Sequence, residues 1–239
     1  MDNSNFLTAQ WNDLLLLNYE VPSEILKRHL PFKTELDSWN GSHYLSIVGF
    51  HFKDARLMGI KFPFNHTFEE INLRFYVRYK QEGKWRRGVV FIKKNAPKRL
   101  IGLAANFLYK EQFRIVEIAH SVKDEGHALA VNYFIKHSGD WENIHAVCDK
   151  NEANMSDSSE EKFIIEHYWG YTKVNDYKTI EFKVKHPSWK LHNALSYSSD
   201  CDFDWLFGNE FHILSESKPK LVFFAEGSEV AVNKGEYLD

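Results

Sequence analysis

The stretch Phe68-Glu69-Glu70-Ile71-Asn72-Leu73-Arg74-Phe75-Tyr76-Val77-Arg78-Tyr79-Lys80 decides how the chain is read. Ile71, Leu73, Phe75, Val77 and Tyr79 fall on one parity, and Glu70, Asn72, Arg74, Tyr76 and Arg78 on the other. A strand sends successive side chains to opposite faces, so this alternation predicts a β-strand with one dry face and one wet face. Gln81-Glu82-Gly83-Lys84 supplies turn chemistry, and Trp85 to Lys93 reads as the returning strand of a hairpin. Further strands are predicted over 43–53, 112–122, 127–137, 143–149, 177–186 and 220–226, with Asp124-Glu125-Gly126 and Ser138-Gly139-Asp140 as turns.

Helix signals are few. Asn95-Ala96-Pro97 places a capping side chain before a proline, and Leu100, Leu103, Ala104, Phe107 and Leu108 follow at helical spacing, which predicts a helix over 97–109. Ser158 with Glu161 fits a capping box for a short helix carrying Phe163, Ile164 and His167. Pro22-Ser23-Glu24 opens another short helix, and an acidic, aromatic turn lies near Asp202 to Phe207. Long strands with short helices make a mainly β (α+β) fold. A strongly twisted antiparallel sheet of this size hides its edges by curling or closing, so the expectation is a closed or nearly closed β-barrel with a few flanking helices.

The chain has 239 residues, 44% apolar and 15% aromatic, enough to fill one large core, and a single domain over 1–239 is expected. Cys148 and Cys201 are too few for a secreted disulfide framework and read as reduced thiols, which points to a cytoplasmic address. The first residues lack a signal-peptide pattern, and no apolar run approaches the roughly 18 residues of a spanning helix, so no membrane partner is expected.

A net charge of −3 argues against a general nucleic-acid binder. Charge is nonetheless uneven: nine Lys or Arg lie between Arg78 and Arg99 against Glu82, and nine acids face three lysines from Asp200 onward. These segments are expected to meet on the folded surface and compensate. Tyr79, Trp85 and Phe91 interleave the basic stretch, but on strands the rings and the cations take different faces, so no nucleic-acid partner is expected. A homo-oligomer is left open.

No glycine-rich phosphate loop, dinucleotide fingerprint, His-Glu-x-x-His or serine nucleophile elbow is present. Twelve histidines invite a metal reading, yet none pairs at ligand spacing with a third acid or cysteine, so neither a metal nor a cofactor is expected. The polar face of the 68–80 strand carries more chemistry. Facing outward, Glu70, Arg74 and Arg78 are solvated charges. Facing the lumen, Glu70, Asn72 and Arg74 line a cavity in which arginine grips an anion bidentately.

The segments Trp11 with Asn18-Tyr19-x-Val21-Pro22, Leu36-Asp37-x-Trp39-x-Gly41, Tyr44-x-Ser46-x-Val48-Gly49-Phe50, Phe68-x-Glu70-x-Asn72-Leu73-Arg74-x-Tyr76-Val77, Arg87-Gly88-Val89-Val90-Phe91, Glu166-His167-Tyr168-Trp169-Gly170-Tyr171 and Phe224-Ala225-Glu226-Gly227-Ser228 follow one another in register. In order and spacing they resemble the YqjF-like family of acetoacetate-decarboxylase-like proteins. The resemblance implies that superfamily's barrel; the biochemical role of the YqjF-like family is unassigned. True acetoacetate decarboxylases form an imine on a lysine within Gly-x-Pro-Lys-Lys. The comparable stretch is Leu108-Tyr109-Lys110-Glu111-Gln112-Phe113, which lacks the proline and the lysine pair and puts Gln112 or Phe113 in the nucleophile's place.

Lys110 lies nearest that place, but a cation at a helix C-terminus is favoured by the unpaired carbonyls without any catalytic role. Lys93-Lys94 reads as a solvated strand end. Glu166 and His167 offer an acid or base and a carboxylate, although adjacent residues seldom point the same way. The expectation is therefore a protein that binds a small organic ligand, anionic or carbonyl-bearing, through Glu70, Asn72, Arg74 and Arg87, without the imine-forming lysine motif. The alternative is a lyase or related enzyme acting on a keto or carboxylate compound, with Lys110, Glu166 and His167 as catalytic candidates.

Overall fold

The computed structural model describes residues 5–61, 66–97, 113–156 and 158–238. The predicted helix over 97–109, apart from Pro97, and Lys110 fall outside these residues. In chain order the first elements are β1 (Asn5–Val21), α1 (Ser23–Lys27), β2 (Glu35–Leu36), β3 (His43–Leu57), β4 (Ile60–Lys61), β5 (Phe68–Gln81) and β6 (Lys84–Ala96). There follow β7 (Phe113–Ile115), β8 (Ile118–Asp124), β9 (Ala128–His137), β10 (Asp140–Asp149), α2 (Glu160–Ile165), β11 (Trp169–Asn175) and β12 (Lys178–Lys185). The last elements are β13 (Leu191–Ser199), α3 (Phe203–Phe207), a 3-10 turn (Asn209–Phe211), α4 (Ile213–Glu216), β14 (Leu221–Asn233) and β15 (Glu236–Tyr237).

The central hairpin forms as read. Gln81 faces Lys84 across Glu82 and Gly83, whose φ angles of 49° and 79° are those of the two-residue turn that matches strand twist. Ser138 and Gly139 repeat the device between β9 and β10. The capping serine of α2 is Ser159, whose Oγ accepts from Lys162 N at 3.2 Å, so the helix ends before His167.

The fold is mainly β, with few helices, and its sheet is ring-like. β12, β11, β6, β5, β3, β1 and β14 follow one another, and β12 returns to β14 through Val184 with Val232 and Lys185 with Ala231. The ring is not antiparallel throughout, because Trp169 and Gly170 of β11 pair parallel with Gly88 and Val89 of β6. From β14 the sheet continues through β13, β10, β9 and β8, and this extension folds back over the outer face of the ring. There Ile71, Leu73 and Phe75 of β5 share a core with Val131, Tyr133 and Ile135 of β9. A second core inside the ring holds Leu14, Leu16, Tyr44, Val48, Phe50 and Tyr76.

As far as Val77 both faces of β5 are thus buried, and the expected wet face is confined to the end of the strand: the apolar side meets the extension and the polar side, through Arg74, points into the ring. The basic stretch also finds other partners than the C-terminal acids. Arg78 pairs with Glu35 at 3.2 Å, Arg86 with Glu181 at 2.5 Å and Arg87 with Asp37 at 2.6 Å. From the acidic C-terminal part, Glu210 turns to His29 and Asp204 to His212. Cys148 and Cys201 are free, and burial pushes both thiols up to about 12. Among the described residues no helix is long and apolar enough to cross a membrane.

Candidate functional site

The ring holds a cavity of about 70 Å³, several times the roughly 10–15 Å³ that one water needs. Its walls are mostly apolar, with Trp11, Phe50, Phe52, Phe91, Phe182 and Trp189 among them. Into this lining project Glu70, Asn72 and Arg74 from β5, Lys94 from β6, and His167 and His186 from the segments after α2 and β12.

Arg74 is 7% exposed, and among the described residues it forms no hydrogen bond or ion pair; its Nε is buried without a partner. Its guanidinium carbon lies 5.9 Å from the centre of the Tyr76 ring. Asn72 donates through Nδ2 to Glu70 Oε1 at 3.1 Å, which leaves its Oδ1 buried and unpartnered. Trp11 Nε1 is unpartnered as well. Buried polar atoms are normally satisfied, so three orphans around one cavity mark it as built for something polar.

Lys94 lines the cavity and is 7% exposed, which corrects its reading as a solvated strand end. β6 runs on to Ala96, and an irregularity in its pairing makes Arg74 face Phe91 while Leu73 faces Lys93. One extra residue rephases the strand, so that Lys94 pairs with Asn72 and turns inward. Its Nζ lies 4.0 Å from the centre of the Phe91 ring and 5.8 Å from that of Phe113, one of the two residues that the resemblance sets in the nucleophile's place.

His167 also reaches the cavity, its ring tilted against that of Tyr76 with the centroids 4.7 Å apart. Its Nε2 faces Arg87 Nη2 at 3.4 Å and its Nδ1 faces the Ile164 carbonyl at 3.3 Å. A guanidinium only donates, so Nε2 accepts and the proton sits on Nδ1. Burial, then the charges of Arg87 and Arg74, hold this imidazole well below its ordinary pKa, so it is neutral at pH 7.

The other sequence candidates stand elsewhere. Arg87 is absent from the cavity lining: it donates through Nε to Asp37 Oδ2 at 2.6 Å and through Nη2 to the Phe163 carbonyl at 3.3 Å, and so holds His167 from behind. Glu166 points away from His167, accepting from Ser188 Oγ at 2.6 Å and from the Tyr168 hydroxyl. The structure therefore gathers Glu70, Asn72, Arg74 and His167 and leaves Arg87 and Glu166 outside. Trp11 and Asp37 carried a signal in the motif pattern, Lys94 was weighed and set aside, and His186 and Trp189 did not stand out in the sequence.

Residues 8–229 match the family model DUF2071, described as an uncharacterized conserved protein. The chain belongs to the DUF2071 family. An uncharacterized YqjF protein of Bacillus subtilis (strain 168) is 30% identical to it over 188 residues, covering 77% of this chain and 74% of the relative. Among solved structures, acetoacetate decarboxylase from Legionella pneumophila superposes with a TM-score of 0.62 at 11% identity, over 97% of this chain and 87% of that one. The enduracididine biosynthesis enzyme MppR, complexed with pyruvate, gives 0.64 at 10% identity, over 98% and 90%. At such identities the likeness is one of fold, and the DUF2071 chain has the acetoacetate-decarboxylase-like architecture.

Proposed function

We propose that this DUF2071 protein binds a small organic anion, a carboxylate or keto acid, inside the ring, with Arg74 as its anchor. One observation carries the reading: a buried guanidinium that forms no ion pair among the described residues, in a mostly apolar cavity that it shares with Glu70, Asn72, Lys94 and His167. Burying an unpaired charge costs several kcal/mol, and a ligand carboxylate gripped by Arg74 offsets that cost. Trp11 Nε1 supplies a second donor, and neutral His167 adds a polar edge without a charge of its own. MppR, of like fold, is a pyruvate complex, which suits the same ligand class.

The test is a thermal-shift and calorimetric screen of pyruvate, acetoacetate and related small carboxylates. Binding of at least one is expected, with affinity reduced about 100-fold or more in Arg74→Leu, whose far-UV circular dichroism stays that of the parent. A carboxylate that binds Arg74→Leu as well as it binds the parent would overturn the reading.

A second reading, an enzyme acting on the keto group, is favoured by the buried position of Lys94 beside Arg74. An amine there forms an imine with a bound ketone when it is unprotonated, with loss of water. Incubation with acetoacetate and borohydride separates the two readings. Binding alone leaves no reduced adduct, whereas a stoichiometric adduct on Lys94, lost in Lys94→Ala, establishes the enzyme.

A further inference from the structure

A second polar cluster lies between the ring and the extension, on the opposite side of the strands that line the cavity. Asp13 comes from β1, His51 from β3, Glu69 from β5 and His120 from β8. Asp13 Oδ2 is 3.4 Å from His120 Nε2 and 3.9 Å from His51 Nδ1, and the three potential ligand atoms all lie within 4.8 Å of one another. A tetrahedral ion with N and O ligands near 2.1 Å sets those atoms about 3.4 Å apart, so small side-chain movements suffice to close such a site.

Two details fit ligation better than a mere contact of charges. His51 Nδ1 is buried and has no hydrogen-bond partner, being beyond reach of Asp13. An imidazole nitrogen without a hydrogen bond, aimed at a carboxylate and a second imidazole, becomes a ligand when metal binding displaces its proton. His120 has its other nitrogen, Nδ1, 3.0 Å from Glu69 Oε1, the carboxylate support that fixes the tautomer of a metal-bound histidine. The site is also held from the sides. Tyr133 stacks 5.7 Å from His120 and donates through its hydroxyl to the Asp13 carbonyl at 2.6 Å. Asp13 itself has a φ of 59°, at an irregularity of β1 that turns its side chain into the cleft.

We propose that Asp13, His51 and His120 bind a divalent transition-metal ion of the zinc class, with Glu69 orienting His120. Two imidazoles and one carboxylate select such ions over magnesium and calcium, which prefer oxygen alone. Three protein ligands leave a coordination position for water or an exchangeable ligand. Since β1 and β3 belong to the ring and β8 to the extension, the ion ties the two layers together and stabilises the fold by mass action.

The experiment uses the full chain, stripped with EDTA, dialysed and titrated with CoCl₂ at pH 8. One Co²⁺ per chain is expected, with visible d–d absorption that ZnCl₂ displaces, a rise in Tm with either metal, and none with MgCl₂. His51→Ala and His120→Ala each weaken Co²⁺ binding at least 100-fold, and Glu69→Gln weakens it about 10-fold to 100-fold. His212→Ala, which removes an exposed imidazole beside Asp204 and Glu216, leaves binding unchanged. Should an alanine variant fail to fold by circular dichroism, His51→Gln or His120→Gln is read in its place. Absence of the visible bands from the parent at stoichiometric Co²⁺, or retention of binding in both histidine variants, overturns the proposal.

Discussion

The cavity and the outer cleft sit back to back on the same strands, and they settle their charges in opposite ways. In the cleft, burial alone would lower the His120 imidazolium, but bonding to Asp13 and Glu69 raises it to about 9. Burial would raise the Asp13 and Glu69 carboxyls, yet the facing imidazoles hold both below their ordinary range. The cleft without metal is therefore a cation between two anions, and a bound ion takes the place of its proton. In the cavity, burial and two guanidiniums hold His167 neutral, and Arg74 forms no ion pair among the described residues. The cleft balances its charges within itself and so adds to folding, with His51 Nδ1 alone left for a further partner, whereas the cavity's unpaired guanidinium is held in place by the surrounding fold.

The contrast breaks if both clusters respond alike to losing their cation. With EDTA present, His120→Leu should cost about 2–3 kcal/mol, because it removes the imidazole that pairs with both half-buried carboxylates, Asp13 and Glu69. Arg74→Leu should leave stability unchanged or raise it by up to about 2 kcal/mol, because it replaces an unpaired buried charge with a shorter, apolar side chain. Urea unfolding of the two variants beside the parent decides it. Equal losses would mean that Arg74 is a structural residue and not a binding one.

How far the sequence could be read follows from that same back-to-back burial. The β5–β6 hairpin was legible because its alternation and turn are local. β1 was not, because Leu14-Leu15-Leu16-Leu17 is buried on both faces and a doubly buried strand loses its alternation. Glu70, Asn72 and Arg74 could be named from their shared parity, but which face looked inward depended on where the extension packs. Lys94 was misread because an irregularity in pairing shifts parity by one and leaves no compositional trace. The Asp13, His51 and His120 cluster escaped because its members meet only through strand pairing and layer packing. The expectation of no metal rested on short-range ligand spacing, which strands far apart in sequence do not show.

Gly49→Ala would sharpen the comparison by striking one cluster only. A Cβ at Gly49 would stand 2.9 Å from the Tyr133 ring, which lies flat against β3 and is fully buried. The ring has to move, and with it the support of Asp13 and His120; a loss of about 1–2 kcal/mol is expected. Carboxylate binding in the ring should persist in this variant while Co²⁺ binding weakens. Loss of both at once, without unfolding, would show that the two sites communicate across β3.

The smallest effect expected is a pH dependence carried by His167. In the unfolded chain its imidazole takes a proton near its ordinary value of 6.5, whereas in the folded protein burial and the charges of Arg87 and Arg74 hold it well below. Between those two values the unfolded state binds one proton more than the folded state does. Stability therefore falls as the pH drops below about 6.5, by at most about 1.4 kcal/mol per pH unit from this one group, and is unaffected by it above. His186, lowered chiefly by its own burial, pulls in the same direction. His120 acts in another window: its folded value is raised, so its contribution is complete below about 6.5 and fades as the pH climbs toward 9. A His167→Gln variant keeps a polar side chain but cannot titrate, so subtracting its unfolding free energy from that of the parent at each pH isolates His167. The difference should be flat from pH 7 to 8 and should move against the parent from pH 6.5 to 5. A difference flat across the whole range would mean that His167 carries its proton in the folded protein, and that Arg74 and Arg87 are screened from it.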